Sequence, residues 1–207
     1  MPKPRVIHDF YGFPKPLFDF DYPAPGSPEI AAEVAEIAKP VRVGLDTDCW
    51  GLDHGTWSVL AHVFPKTDVP VVQLAIDASK PIEYHLDLGA RLAGLLDSGI
   101  MIIASGNVVH NLRLLDWSRS EGGFDWAERF DAATSELLEH RPEDFAALRG
   151  HPDFDLSVPT PDHFLPLAYL AGISLATKGE YSRLVRGCAM GSLSMTSHMI
   201  GSLAGDD

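Results

Sequence analysis

The sequence has little cysteine, little positive charge and no long apolar run, and each shortage removes a class of protein. Only two cysteines occur in 207 residues, Cys49 and Cys188, with no Cys-x-x-Cys pair. Neither a disulfide framework nor a thiolate zinc site is indicated. Lys and Arg number 16 against 29 Asp and Glu, a formal charge of −13, and such a field repels phosphate backbones and anionic lipid. Nucleic acid and membrane are therefore not expected as partners. The apolar run from Ile100 to Ala104 falls far short of the roughly 20 residues of a membrane span. Met1-Pro-Lys-Pro-Arg5 leads into no signal-peptide core, so a cytoplasmic location with free, reduced thiols is expected. No Gly-x-Ser-x-Gly elbow, Walker loop or Gly-x-Gly-x-x-Gly follows a predicted strand, which removes the usual signals for a serine hydrolase, an NTPase or a dinucleotide enzyme.

What is present is a chain with 45% hydrophobic residues, long enough to bury a core as one globular domain over residues 1–207. The first 28 residues alternate Pro, Gly and aromatics (Phe10, Tyr11, Phe13, Phe18, Phe20, Tyr22) and read as an ordered loop. Ser27-Pro28-Glu29 starts a helix that Pro40 stops. Helices are also predicted over Thr56 to Phe64, from Pro81 to a Gly99 cap, over Phe124 to His140, and from Thr160 through Ala171. The β-branched runs Val41 to Leu45 and Pro70 to Ile76, and the apolar run Ile100 to Ala104, predict strands, with a last strand drawn from Leu184 to Met195. Strand and helix alternate, so the expected class is α/β, with a mostly parallel or mixed central sheet covered by helices.

Nine histidines make imidazole the abundant soft ligand, which points any metal chemistry to iron or zinc held by His and carboxylate. Three histidines follow predicted strands or open predicted helices, where the functional groups of α/β sheets collect. His54 lies in Gly51-Leu-Asp-His-Gly-Thr56, where Asp53 or a backbone carbonyl could fix its tautomer. His110 follows the Ile100 to Ala104 run, with Ser105, Asn107 and Asn111 as nearby donors that could steady an oxyanion. His163 stands three residues after Thr160, where a helix N-terminus would favour the neutral, metal-binding imidazole. The three are too widely spaced for a local zinc motif and can meet only through separate loops. His62, His85 and His140 read as surface or interface residues on helices, and His151 and His198 as loop or tail.

Five blocks carry a resemblance: Ile7-His-Asp-Phe-Tyr-Gly-Phe-Pro14, Gly51-Leu-Asp-His-Gly-Thr-Trp-Ser-Val-Leu60, Gly106-Asn-Val-Val-His-Asn-Leu112, Thr160-Pro-Asp-His-Phe-Leu-Pro-Leu167 and Met190-Gly-Ser-Leu-Ser-Met195. Together they resemble the DOPA 4,5-dioxygenase type of class III extradiol ring-cleavage dioxygenases, related to the catalytic subunit of protocatechuate 4,5-dioxygenase. The resemblance implies a non-haem Fe(II) enzyme, with Zn(II) in some members, that uses O2 to open a catechol beside its two hydroxyls to a muconate semialdehyde. It implies His110 as metal ligand or base, His163 as a metal ligand and His54 as an acid or base. The small-molecule partners would be the catechol and O2, and self-association into a homo-oligomer is compatible with an exposed sheet edge.

Members of that family begin with a strand bearing a His-Gly-Ser-Pro turn and a second strand ending in a Ser-Ala-His-Trp turn, each giving a metal-binding histidine. Neither turn occurs in this sequence. Relative to the family pattern the chain thus lacks an N-terminal strand-helix-strand unit, and Met1 is expected to be an internal methionine of a longer protein. The competing expectation is a degenerate or Memo-like, non-catalytic relative that acts as a binding protein. Zinc-dependent hydrolysis, with His54 or His110 activating water, is a further reading.

Overall fold

Ser27 begins a helix as its sequence predicts: its Oγ accepts the amide of Ile30 at 3.2 Å, and Pro28 occupies the first helical position. In the computed structural model residues 1–201 are described. The chain divides into two compact units, Met1–Ala75 and Ile76–Asp207.

In the first unit β1 (Arg5–Val6) pairs in parallel with β2 (Gly51–Leu52), Arg5 opposite Gly51 and Val6 opposite Leu52. The opening loop holds the short α1 (Lys15–Phe18), followed by α2 (Pro28–Ile37) and α3 (His54–Val63). Asp53 caps α3 by accepting the amide of Thr56. Tyr22, Ala24, Leu52, Trp57 and Leu60 form the core of this unit. The indole of Trp57 donates to the carbonyl of Ile7 at 2.9 Å, which ties α3 to the segment following β1.

The second unit is built on α4 (Ile82–Leu92), α5 (Asp125–His140), the short α6 (Phe154–Ser157) and α7 (Leu165–Thr177). Ile82, His85, Leu86, Gly89 and Leu92 lie buried along one face of α4, with Leu88 beside them, the spacing of an amphipathic helix. After α4 a tighter 3-10 segment, Ala93–Ser98, ends on Gly99 in the left-handed region at φ 73°. Helix α7 is buried nearly all round and lies directly on α4. A Cβ at Gly172 would stand 2.0 Å from the Leu86 carbonyl oxygen, and one at Gly89 2.2 Å from that of Tyr169. The core gathers Val109, Phe130, Leu138, Phe145, Phe164 and Ala168 around these helices. Two antiparallel ribbons close the unit, β3 (Tyr181–Val185) with β6 (Ser197–Ile200), and β4 (Cys188–Ala189) with β5 (Leu193–Ser194).

The class is α/β, with parallel and antiparallel pairing, yet among the described residues the sheet is distributed over three two-stranded pieces. The runs 41–45, 70–76 and 100–104 are not strands. A β-branched run becomes a strand only where a neighbour supplies ladder hydrogen bonds, and among the described residues no strand pairs with these segments, the Val71 amide making a single bond to the Pro25 carbonyl. The run around Ile102, expected to be buried on both faces, leaves Met101 69% and Ile103 43% exposed. The helix expected from Thr160 begins only at Leu165, because Pro161 to Phe164 form turns. His85, expected at the surface, is fully buried and bonded through Nδ1 to the Tyr169 hydroxyl at 3.1 Å. Among the described residues no helix is long and apolar enough to cross a membrane.

Candidate functional site

Two of the three candidate histidines meet in the second unit. The rings of His110 and His163 stack with centroids 3.5 Å apart and planes 14° from parallel. They reach that position because three chain segments are interlocked by backbone hydrogen bonds. The amide of Asn107 donates to the His163 carbonyl at 2.9 Å, and the amide of His110 to the Ser157 carbonyl at 2.9 Å. From the third segment Ser194 donates its amide to the Val109 carbonyl at 2.9 Å, and Ser192 accepts the Asn111 amide at 3.1 Å. Gly106 is required here: a Cβ would lie 2.2 Å from the His163 carbonyl oxygen.

Burial first, and then the adjacent His163, push the His110 imidazole down to about 4 against an opposing pull from Asp162. At neutral pH His110 is therefore uncharged. Nε2 of His163 lies 3.4 Å from the Asp162 carboxylate. Burial alone would raise Asp162, but the Thr160 hydroxyl and the two imidazoles outweigh it and hold the carboxyl below its usual range.

Asn107 and Asn111, named above as donors that could steady an oxyanion, each commit one side-chain N–H to a loop carbonyl. The Asn107 amide donates to the Ser194 carbonyl at 2.7 Å, and that of Asn111 to the Leu156 carbonyl at 2.8 Å. Both fasten the loops that carry the histidines. A residue the sequence reading missed does similar work: Asp131 of α5 accepts Ser194 Oγ at 2.5 Å and Thr196 Oγ1 at 2.8 Å. Its signal was an acidic residue on the apolar face that also carries Ala127, Phe130 and Thr134. Burial raises the Asp131 carboxyl, opposed by the two hydroxyl donors.

His54 belongs to the first unit, at the start of α3. Its partner is Asp9, not Asp53 or a backbone carbonyl. Nδ1 of His54 lies 2.7 Å from Asp9 Oδ1, and the same oxygen accepts the His54 amide at 3.2 Å. Asp53 is committed to the helix cap and to Gln73. Burial would raise Asp9, but the hydrogen bonds from the His54 ring and backbone outweigh it and keep the carboxyl low. The signal for Asp9 lay in the His8-Asp9-Phe10 block, 45 residues away from its partner. His8 bonds through Nε2 to the Phe20 carbonyl at 2.9 Å. The ring of Phe10 packs edge-on to His54 at 5.6 Å and also contacts Phe13, Phe18 and Trp57.

Two imidazoles are suitable ligand donors for a metal, and His110 is held in the uncharged, ligating form. The donor count falls short. Among the described residues the one group of three donor side chains close enough to share an ion is Asp46, Asp48 and Cys49, exposed in the first unit. The stacked histidines therefore do not, with the described residues, complete the three-ligand face of a non-haem iron site.

Residues 2–193 match the family model described as the catalytic LigB subunit of aromatic ring-opening dioxygenase. The chain is 45% identical over 207 residues to "4,5-DOPA dioxygenase extradiol" of Escherichia coli K12, spanning 97% of this chain and 75% of that protein. It is 35% identical over 182 residues to the protein of the same name from Beta vulgaris, spanning 86% of this chain and 66% of that one. The fold is similar to the crystal structure of an uncharacterized protein from Escherichia coli K12, with a TM-score of 0.82 and 43% identity over 88% of this chain and 76% of that one.

Proposed function

The chain belongs to the family of catalytic subunits of aromatic ring-opening dioxygenases, which are metal-dependent oxygenases, and we propose that DOPA or a closely similar catechol is the molecule it opens. The reaction is extradiol cleavage: O2 is added across the ring bond beside the two hydroxyls, giving a muconate semialdehyde. The reading rests on one observation above all, the stacked pair His110 and His163 fixed by three interlocked segments, in a chain 45% identical to a DOPA dioxygenase. Fe(II) is the metal of this reading, with Zn(II) as the substitute. His163 is assigned as a ligand, His110 as ligand or base, and His54 as a proton-transfer group. A cytoplasmic setting accords with the two free cysteines.

The roles of these side chains follow from their placement. Half-buried His110 offers an uncharged nitrogen in a setting with limited water, the state a base needs in order to accept a phenolic proton. His163 is anchored through its backbone carbonyl to Asn107, which fixes the point from which its side chain leaves the loop. The bound metal would supply acidification of the catechol and a meeting point for the two reactants.

Anaerobic loading of the chain with Fe(II), followed by L-DOPA and air, tests the reading. The yellow absorption of a muconate semialdehyde is the expected result, and it should disappear in His110→Ala. Absence of product with either metal would overturn it. The incomplete donor set at the stacked pair favours a second reading, a relative that binds catechols without opening them. That reading predicts saturable catechol binding by calorimetry with no O2 consumed.

A further inference from the structure

The contact between Asp9 and His54 joins two parts of the first unit that are distant in sequence, and its geometry does more than cap a helix. Residues 5 to 9 are fastened step by step along α3 and the strand before it. Arg5 and Val6 pair with Gly51 and Leu52, and the Ile7 amide donates to the Leu52 carbonyl at 2.8 Å. The Ile7 carbonyl receives the Trp57 indole, and the His8 ring bonds to the Phe20 carbonyl. Asp9 is the next residue, delivered to His54 by a segment that is bonded at each step. A single carboxylate oxygen, Oδ1, then receives both the ring Nδ1 and the backbone amide of His54.

An ionised carboxylate accepts hydrogen bonds and has no proton to give. Nδ1 must therefore carry the proton in the neutral ring, which leaves the lone pair on Nε2. That nitrogen has no protein partner among the described residues, and the side chain is 44% exposed. Phe10, edge-on to the imidazole, limits ring rotation. The arrangement matches the logic by which a carboxylate orients a histidine base in unrelated enzymes.

We propose that Asp9 is a positioning residue for the ring-opening reaction: it locks His54 in the Nδ1–H form, so that Nε2 is the atom that exchanges protons with the catechol. This rests on the assignment of His54 as a proton-transfer group. Asp9 touches neither the substrate nor a metal in this scheme. It acts through His54 alone.

The test combines a tautomer measurement with kinetics on the full chain. Two-bond 1H–15N spectra of protein labelled at histidine nitrogen should show His54 protonated at Nδ1 in the wild type. In Asp9→Ala the Nδ1–H form should give way to a mixture or to Nε2–H. With the metal-loaded enzyme kcat should fall by about tenfold to a hundredfold, the usual cost of losing an orienting partner, with KM little changed. Asp9→Asn retains an oxygen acceptor, and the His54 amide that bonds to it fixes the orientation of the side-chain amide. It should therefore keep the Nδ1–H form and most of the kcat. A wild-type ring protonated at Nε2 overturns the proposal without any variant, and so does an Asp9→Ala protein that melts earlier yet retains tautomer and kcat. Should His54→Ala turn over normally, the assignment of His54 fails instead. If His54→Ala is inactive while Asp9→Ala is unimpaired, only the role of Asp9 fails.

Discussion

The backbone carbonyl oxygen of His163 lies 2.2 Å from the point where a Cβ on Gly106 would stand. No side chain fits there, and the neighbouring amide of Asn107 uses that closeness to bond to the same oxygen. Gly106→Ala must therefore push the loop carrying His163 away from the segment carrying His110. Overpacking of this kind costs about 1–3 kcal/mol. The expected outcome is a drop in Tm together with loss of ring-opening activity out of proportion to it. An active Gly106→Ala protein would show that the histidine stacking is not needed for turnover.

The crossing of α4 and α7 is equally intolerant, for the same reason but away from the histidines. Gly172 and Gly89 sit against the carbonyl oxygens of Leu86 and Tyr169. Backbone is in contact with backbone, and neither helix can yield without displacing the core it carries. Gly172→Ala should cost about 1–3 kcal/mol, which for a chain of this size lowers Tm by roughly 2–12 °C. Thermal melts followed by circular dichroism would show it. The double variant with Gly89→Ala should cost less than the sum, because one separation of the helices relieves both clashes.

Stability should also fall with acid through His198. Its Nδ1 lies 2.9 Å from the Tyr181 hydroxyl, and its Nε2 is buried with no partner among the described residues. Burial, then the adjacent Arg183, pushes the imidazole down to about 4. An unfolded chain takes up this proton near pH 6.5 and the folded chain does not, so the unfolded state binds more protons between those values. The stabilisation is complete above about pH 6.5 and is lost as pH falls toward 4, an effect of about 3 kcal/mol. Asp131 works in the opposite sense, since burial raises it and its folded form holds a proton longer as pH rises. Urea melts from pH 7 to 4.5 should show a loss that His198→Phe reduces without abolishing, because His110 is also held down to about 4 and contributes over the same range. An unchanged slope in that variant would assign the acid sensitivity elsewhere.

Much of this architecture was legible in the sequence because it depends on local chemistry. Ser27-Pro28 starts α2, Gly99 ends the 3-10 segment, and the apolar spacing of α4 and α5 marks their buried faces. The strand runs were misread because apolar, β-branched composition shows that a segment suits a sheet without showing that a neighbour pairs with it. The Ile100 to Ala104 run is the clearest instance. At the candidate site His110 and His163 were visible as residue types in motif blocks, and the structure brings them together. Their supports were hidden, because Asp131 reaches Ser194 across 63 residues and Asp9 reaches His54 across 45. Such pairings are set by the fold, and neither partner is unusual on its own.

The two thiols provide a test of the packing that needs no activity. Cys188 lies in β4 against the core, with burial pushing its thiol up to about 12. At pH 8 almost none of it is thiolate, and reagent cannot reach it without local opening. Cys49 is exposed. Its thiol is also raised, first by a hydrogen bond to Asp48 and then by the charge of Asp46, but access is not in question. Native protein at pH 8 should therefore release about one equivalent of thionitrobenzoate from Ellman's reagent, and denatured protein about two. Cys49→Ser should abolish the native reaction. A second equivalent released from native protein at the rate of the first would mean that the ribbon of β4 and β5 opens readily. The ladder from Ser194 to Val109, which holds the loop of His110 in place, would then be too loose to keep the two imidazoles stacked.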